Sequence, residues 1–216
     1  MPPAALFFDL DGTLLDTVDD VTADMMATLR ELGLDAERYR RRFRFGPPLR
    51  EALFEVYPEM NNDLLEEFVR RFRERYNTSD YPLTRPYPGI DELLHRAAGA
   101  GRPLFIVTFK RWIPTARLVK KFGWTDLFAE IFTVDRFAPD IPVMLKPEMI
   151  ARSGVDTRGA RLIGDAPTDL DAAHEAHLAA AAVTWGYSSE EELLARLGPG
   201  DKIVRRIEEL TALLLG

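Results

Sequence analysis

The sequence predicts an α/β protein: a parallel sheet with helices on both faces, interrupted after its first strand by an all-helical insertion. Three observations carry this reading. Short apolar runs of strand length recur along the chain. Between them lie stretches whose apolar residues fall at helical spacing. The stretch from about Asp16 to Arg85 breaks that alternation, with no strand-like run and a high density of arginine and glutamate. Alternating strand and helix signals imply a parallel sheet covered on both sides.

The first strand is expected in AALFFD (4–9), followed by PLFIVT (103–108), ARLIGD (160–165) and LAAAAVT (178–184), with EIFTV (130–134) as a weaker fifth. GIDELLHRAAGAG (89–101) and PTARLVKKFG (114–123) read as helices between strands, and Gly101 and Gly123 as their C-terminal stops. In the insertion, Val21, Met25, Leu29 and Leu32 share one helical face, as do Leu64, Leu65, Phe68, Val69, Phe72 and Tyr76 on a second helix. TRPYPG (84–89) closes the insertion, since Pro86 and Pro88 disfavour helix. The expected division is a core of residues 1–15 and 86–216 and a cap of residues 16–85, with Asp16 and Thr17 at the hinge.

Composition narrows the function classes. A chain of 216 residues suits one sizeable domain, or a core domain carrying a smaller insertion. A net charge of -7 argues against nucleic acid as a partner, which needs a basic face. The absence of cysteine removes disulfides, thiolate metal sites and thiol nucleophiles. Neither a membrane span nor a secretory leader is evident, so a cytoplasmic location is expected, as a monomer or homodimer.

Asp9, Thr108 and Asp165 each end a candidate strand, and ligands of parallel sheets bind beyond the carboxyl ends of the strands. Asp11 lies two residues past Asp9 and can share its face. Asp165 and Asp169, in GDAPTD, add two more acids on the loop that leads into the next helix. Such a set of carboxylates on one rim requires a cation, and oxygen ligands without cysteine fit Mg²⁺ rather than Zn²⁺. Lys146 and the Thr108 hydroxyl supply donors for an anion, which together suit phosphoryl transfer.

DLDGT, VT followed by a loop, KP and GDxxxD occur here in an order that resembles the four motifs of the haloacid dehalogenase superfamily. DLDGTLLDT and VTWGYSSEEELL (183–194) look like its phosphoglycolate phosphatase-like, helically capped branch. The resemblance implies a Rossmann-like core and hydrolysis of a small phosphorylated metabolite. It implies Asp9 as nucleophile and Asp11 as general acid and base, with Thr108 and Lys146 on the phosphoryl oxygens. Mg²⁺ would be held by Asp9, Asp11 through its carbonyl, Asp165 and Asp169. Gly12, Thr13 and Phe109 would line the substrate.

Phe109 stands where phosphatases of this type often carry asparagine, which predicts a less polar substrate or lower activity. In the cap, Arg42, Arg44 and Arg50 flank FGPPL (45–49). They either reach an anionic second group on the substrate or form a solvated, salt-bridged face with nearby glutamates. Asp11 disfavours dehalogenation, where no leaving alkoxide needs a proton, and residues 14–85 hold no lysine for a phosphonatase Schiff base. A sugar phosphomutase of the beta-phosphoglucomutase type shares the aspartyl-phosphate chemistry, but the cap has no histidine or lysine to assist it. A non-catalytic binding protein on this fold would be expected to have lost an acid, and none is lost.

Overall fold

The computed structural model describes residues 4–42, 49–136 and 145–216. It divides into two compact units, residues 1–16 with 85–216 and residues 17–84.

The larger unit is built on a six-stranded sheet. Its strands are β1 (Leu6–Phe8), β4 (Leu104–Thr108), β5 (Glu130–Thr133), β6 (Arg161–Gly164), β7 (Ala179–Val183) and β8 (Lys202–Val204), in the order β5-β4-β1-β6-β7-β8. Every pairing is parallel. The five expected strands are present, each trimmed at its ends, and β8 is a sixth that no apolar run announces. Phe7, Phe105, Val107, Phe132 and Leu162 pack against Met149 and Ile150 of α7 (Lys146–Arg152) and Leu170 and Ala173 of α8 (Pro167–Glu175). The alternate residues Leu6, Phe8, Ile106 and Ile163 point to the opposite face and are equally buried. Burial on both faces explains why these strands read as continuous apolar runs.

Helices α5 (Ile90–Gly99) and α6 (Trp112–Lys121) end as expected, Gly101 and Gly123 both having left-handed φ. The N–H groups of Arg102 and Trp124 reach back to the carbonyls of Ala97 and Val119, completing the turn that glycine permits. Trp124 is fully buried, and its indole N–H donates to Asp91 at 2.8 Å. The chain leaves and re-enters this unit through a ribbon of β2 (Leu15–Asp16) and β3 (Arg85–Pro86), with Asp16 opposite Arg85. That pairing holds Asp16 and Arg85 in the sheet unit, a correction to their placement in the cap. Two-residue strands leave no periodicity to read.

The smaller unit contains α1 (Val18–Glu31), α2 (Ala36–Arg42), α3 (Leu49–Val56) and α4 (Asn62–Thr78). Met25 and Leu29 of α1 pack with Tyr39, Leu53 and Tyr57 and with Leu65, Phe68 and Val69 of α4. The Asn61 side chain caps α4 by accepting the Leu64 N–H at 2.8 Å. Asp20 closes the unit on itself. Its buried carboxylate accepts the backbone N–H groups of Leu83 and Thr84 and the Thr84 hydroxyl, at 2.6 to 3.2 Å.

Removing one end of a buried charge-assisted network costs more than the network contributes, because the remaining donors stay desolvated. Asp20→Ala is therefore expected to destabilise the protein by about 3 kcal/mol in urea unfolding, the scale of losing such a buried group. A change below about 1 kcal/mol, the scale of one ordinary hydrogen bond, would show that water replaces the carboxylate there.

Candidate active site

Strand β1 runs out at Phe8, and the Asp9 N–H continues the ladder by donating to the Ile163 carbonyl at 2.9 Å. Asp9 is thus fixed at the carboxyl end of the central strand, beside the ends of β4 and β6. The chain then turns sharply at Gly12, whose φ is +84° and whose N–H donates to the Leu15 carbonyl. A Cβ at Gly12 would fall 2.2 Å from an Asp165 carboxylate oxygen, so only glycine lets the turn pass this closely.

Asp165 follows β6 directly and is 2 % exposed. The Thr13 hydroxyl donates to its Oδ1 at 2.8 Å and the Tyr187 N–H to its Oδ2 at 2.9 Å. Asp169 is not on the loop, as the sequence suggested, but in the first turn of α8, where its Oδ2 accepts the Ala166 N–H at 3.1 Å. Pro167 starts the helix earlier than the acid spacing alone implies. Lys146 is the first residue of α7, is buried, and donates to Asp9 Oδ1 at 2.7 Å and to Asp169 Oδ1.

Asp9, Asp165 and Asp169 each place a carboxylate oxygen within 4.8 Å of the others. Burial pushes the Asp9 carboxyl up to about 8, against the pull of Lys146 and with help from Asp169 and Asp165. Burial likewise raises Asp165 to about 6, with Asp169 adding to it and the Tyr187 N–H and Thr13 hydroxyl opposing. Burial alone would lower Lys146, but Asp169 and Asp9 outweigh it and hold the ammonium above its ordinary range. Three buried acids that share one ammonium form a donor set fitted to a divalent cation with oxygen ligands.

Thr108 ends β4 and is buried, with its hydroxyl accepting the Lys110 N–H at 3.1 Å. Asp11 stands outside the carboxylate triad. Its carboxylate is held by Lys110, which donates to the two oxygens at 2.9 and 3.1 Å. The Phe109 ring lies 5.2 Å from the Lys146 ammonium and is 43 % exposed, so it does not simply pack beneath the loop. Asp171 is an exposed surface acid facing Arg196 at 3.3 Å. Arg50, expected at the substrate, has its guanidinium on Glu66 in an exposed ion pair, the salt-bridged face that the sequence also allowed. Arg44 lies outside the described residues.

The haloacid dehalogenase-like hydrolase family matches residues 6–183, which spans every residue of the cluster. The chain belongs to that family. Among its relatives, a phosphoglycolate phosphatase of Agrobacterium fabrum is 34% identical over 202 residues, covering 87% of this chain and 83% of that one. A 5'-nucleotidase of Pseudomonas aeruginosa is 30% identical over 195 residues, covering 88% and 86%. A haloacid dehalogenase-like hydrolase from Streptococcus pneumoniae superposes with a TM-score of 0.81 at 27% identity, covering 98% of each chain.

Beyond the family motifs, this haloacid dehalogenase-like hydrolase depends on residues that sequence reasoning passed over. Lys110 holds Asp11, and the Trp185 indole N–H donates to the Thr13 carbonyl at 3.1 Å. Gly164 and Gly186 make room for the acids, since a Cβ at either would lie within 2.4 Å of Asp169 or Asp165 atoms. Gly186 lies three residues past the end of β7, and its partner Asp165 is remote in sequence.

Gly186→Ala would place a methyl 2.3 Å from the Asp165 Cβ, an atom that cannot swing aside. With the fold retained by circular dichroism, calorimetric titration should show divalent-cation affinity weakened by about tenfold or more, the usual scale for disturbing a ligand's support. Unchanged affinity would remove Asp165 from the ligand set.

Proposed function

We propose that this protein is a Mg²⁺-dependent phosphatase that hydrolyses a small phosphomonoester through an aspartyl phosphate on Asp9. The observation that carries the reading is Lys146, a buried ammonium bridging Asp9 and Asp169 inside a triad of oxygen ligands. Relatives named as phosphoglycolate phosphatase and 5'-nucleotidase support the same reaction class.

Asp9 attacks phosphorus, forming an acyl phosphate as the ester P–O bond breaks. Lys146 orients the Asp9 carboxylate and favours its ionised form against the burial that raises it, and with the Thr108 hydroxyl it binds the phosphoryl oxygens. The backbone N–H groups of Thr13 and Phe109 are further donors to the same oxygens, the Gly12 N–H being taken by the Leu15 carbonyl. Asp11, after taking a proton from solvent and giving up its Lys110 ion pair, passes that proton to the leaving alkoxide, then takes one from the water that attacks the acyl phosphate, which releases inorganic phosphate and restores Asp9. Mg²⁺, held by Asp9, the Asp11 carbonyl, Asp165 and Asp169, supplies positive charge against the transferring group. Asp169 spends one oxygen on Lys146 and the other on the Ala166 N–H, which suits it to orienting the lysine as much as to holding metal. The helical unit serves as the cap in this reading.

Phosphate release from a panel of phosphomonoesters is expected to require Mg²⁺, to stop with EDTA and to vanish in Asp9→Asn. Turnover by Asp9→Asn at more than about a thousandth of the wild-type rate would exclude covalent catalysis at that residue, given what a nucleophile contributes.

Asp11→Asn separates the acid role from binding. Its kcat/KM should fall at least about a hundredfold on an alkyl phosphate, the usual worth of a general acid, and far less on 4-nitrophenyl phosphate, whose leaving group needs no proton. Equal losses on both esters would assign Asp11 to structure.

A further inference from the structure

The two residues that follow Thr108 differ in chemistry. The buried Lys110 ammonium holds the Asp11 carboxylate, which gives the ester oxygen a polar neighbour. Phe109 directly follows Thr108, the residue assigned above to the phosphoryl oxygens. Its ring is seated against the Lys146 ammonium at 5.2 Å, a cation–π distance that fixes its position. Yet 43 % of Phe109 remains exposed, as does 50 % of Leu145, the residue next to Lys146 in the chain. Among the described residues of the sheet unit, the large exposed hydrophobics are Phe109, Ile113, Leu145 and Leu194. Two of these four, Phe109 and Leu145, directly adjoin Thr108 and Lys146 in the chain, so apolar exposure borders both residues assigned to the phosphoryl group.

We propose that Phe109 is a specificity-determining residue that selects phosphomonoesters whose alcohol carries an apolar, ring-sized group close to the ester oxygen. The assignment rests on the phosphatase reading above. A carboxylate set against the ring loses hydration and receives no hydrogen bond from it, whereas an apolar group removes two apolar surfaces from water. Because the ring is already held by Lys146, little side-chain freedom is lost when a substrate covers it. Phe109 thus favours an aromatic or aliphatic leaving group over a second anionic group of phosphoglycolate type.

The test uses benzyl phosphate and phosphoglycolate, primary alkyl esters that carry a phenyl ring or a carboxylate beyond the same methylene. It adds their non-hydrolysable counterparts, 2-phenylethylphosphonate and 3-phosphonopropionate, titrated calorimetrically with Mg²⁺ present. The wild-type protein should favour the phenyl member of each pair by about tenfold, the worth of burying roughly one face of a ring. Phe109→Asn should abolish that ratio, while Phe109→Leu, which stays apolar, should retain part of it. Any loss common to both members reads the Lys146 contact and cancels in the ratio. A wild-type preference for the carboxylate member, or a ratio unchanged in Phe109→Asn, overturns the assignment. Phosphonate selectivity that depends on Phe109, with neither ester hydrolysed, would support the assignment and defeat the phosphatase reading. Hydrolysis of both esters with no selectivity would do the reverse.

Discussion

A single buried ammonium between two carboxylates organises this protein. Lys146 lies under the sheet's carboxyl edge, bonded to Asp9 and Asp169, with Asp165 alongside. Taking charges out of water costs several kcal/mol for each ion, even after relaxation. One lysine offsets part of that cost for three acids, and burial still presses Asp9 and Asp165 toward their protonated forms. Such a cluster is better balanced when further positive charge arrives. An electrostatic deficit kept dry inside a fold is better explained by an incoming ligand than by stability.

The sheet is the reason these groups meet. β1 lies between β4 and β6, in parallel register, so that Phe8 stands opposite both Ile106 and Ile163. The residues that follow these partners are therefore delivered together: Asp9 from β1, Thr108 from β4 and Asp165 from β6. The order of strands changes direction around β1, the place where open parallel sheets leave a crevice for ligands. Helices α7 and α8 begin at the same edge and contribute Lys146 and Asp169 from their first turns.

Much of this was legible in the sequence, for reasons that can be named. Strands buried on both faces appear as unbroken apolar runs, and the acids that follow Phe8 and Gly164 interrupt those runs sharply. Gly101 and Gly123 announced helix ends because a left-handed residue there requires glycine. What escaped has no local signature. β8 is short and borders the sheet, so its pattern is weak. Lys110 resembles any lysine until its contact with Asp11 is seen, and for Arg50 the sequence offered both the substrate and a salt-bridged face with nearby glutamates, of which the second is found. Gly164 and Gly186 matter through acids that approach them in space, which a linear reading does not contain.

The distances along the chain between partners in the site carry a kinetic meaning. Lys146 lies 137 residues from Asp9, and Thr13 lies 152 from Asp165. The helical unit, by contrast, is one continuous stretch, residues 17–84, whose contacts close over short loops. During synthesis that unit is complete while β1 is still a lone apolar strand awaiting β4 and β6. Asp9 is synthesised before the helical unit, yet its surroundings are assembled only once β4, α7, β6 and α8 have followed. An interrupted translation product would therefore carry the nucleophile without its lysine, and an apolar strand without neighbours to cover it.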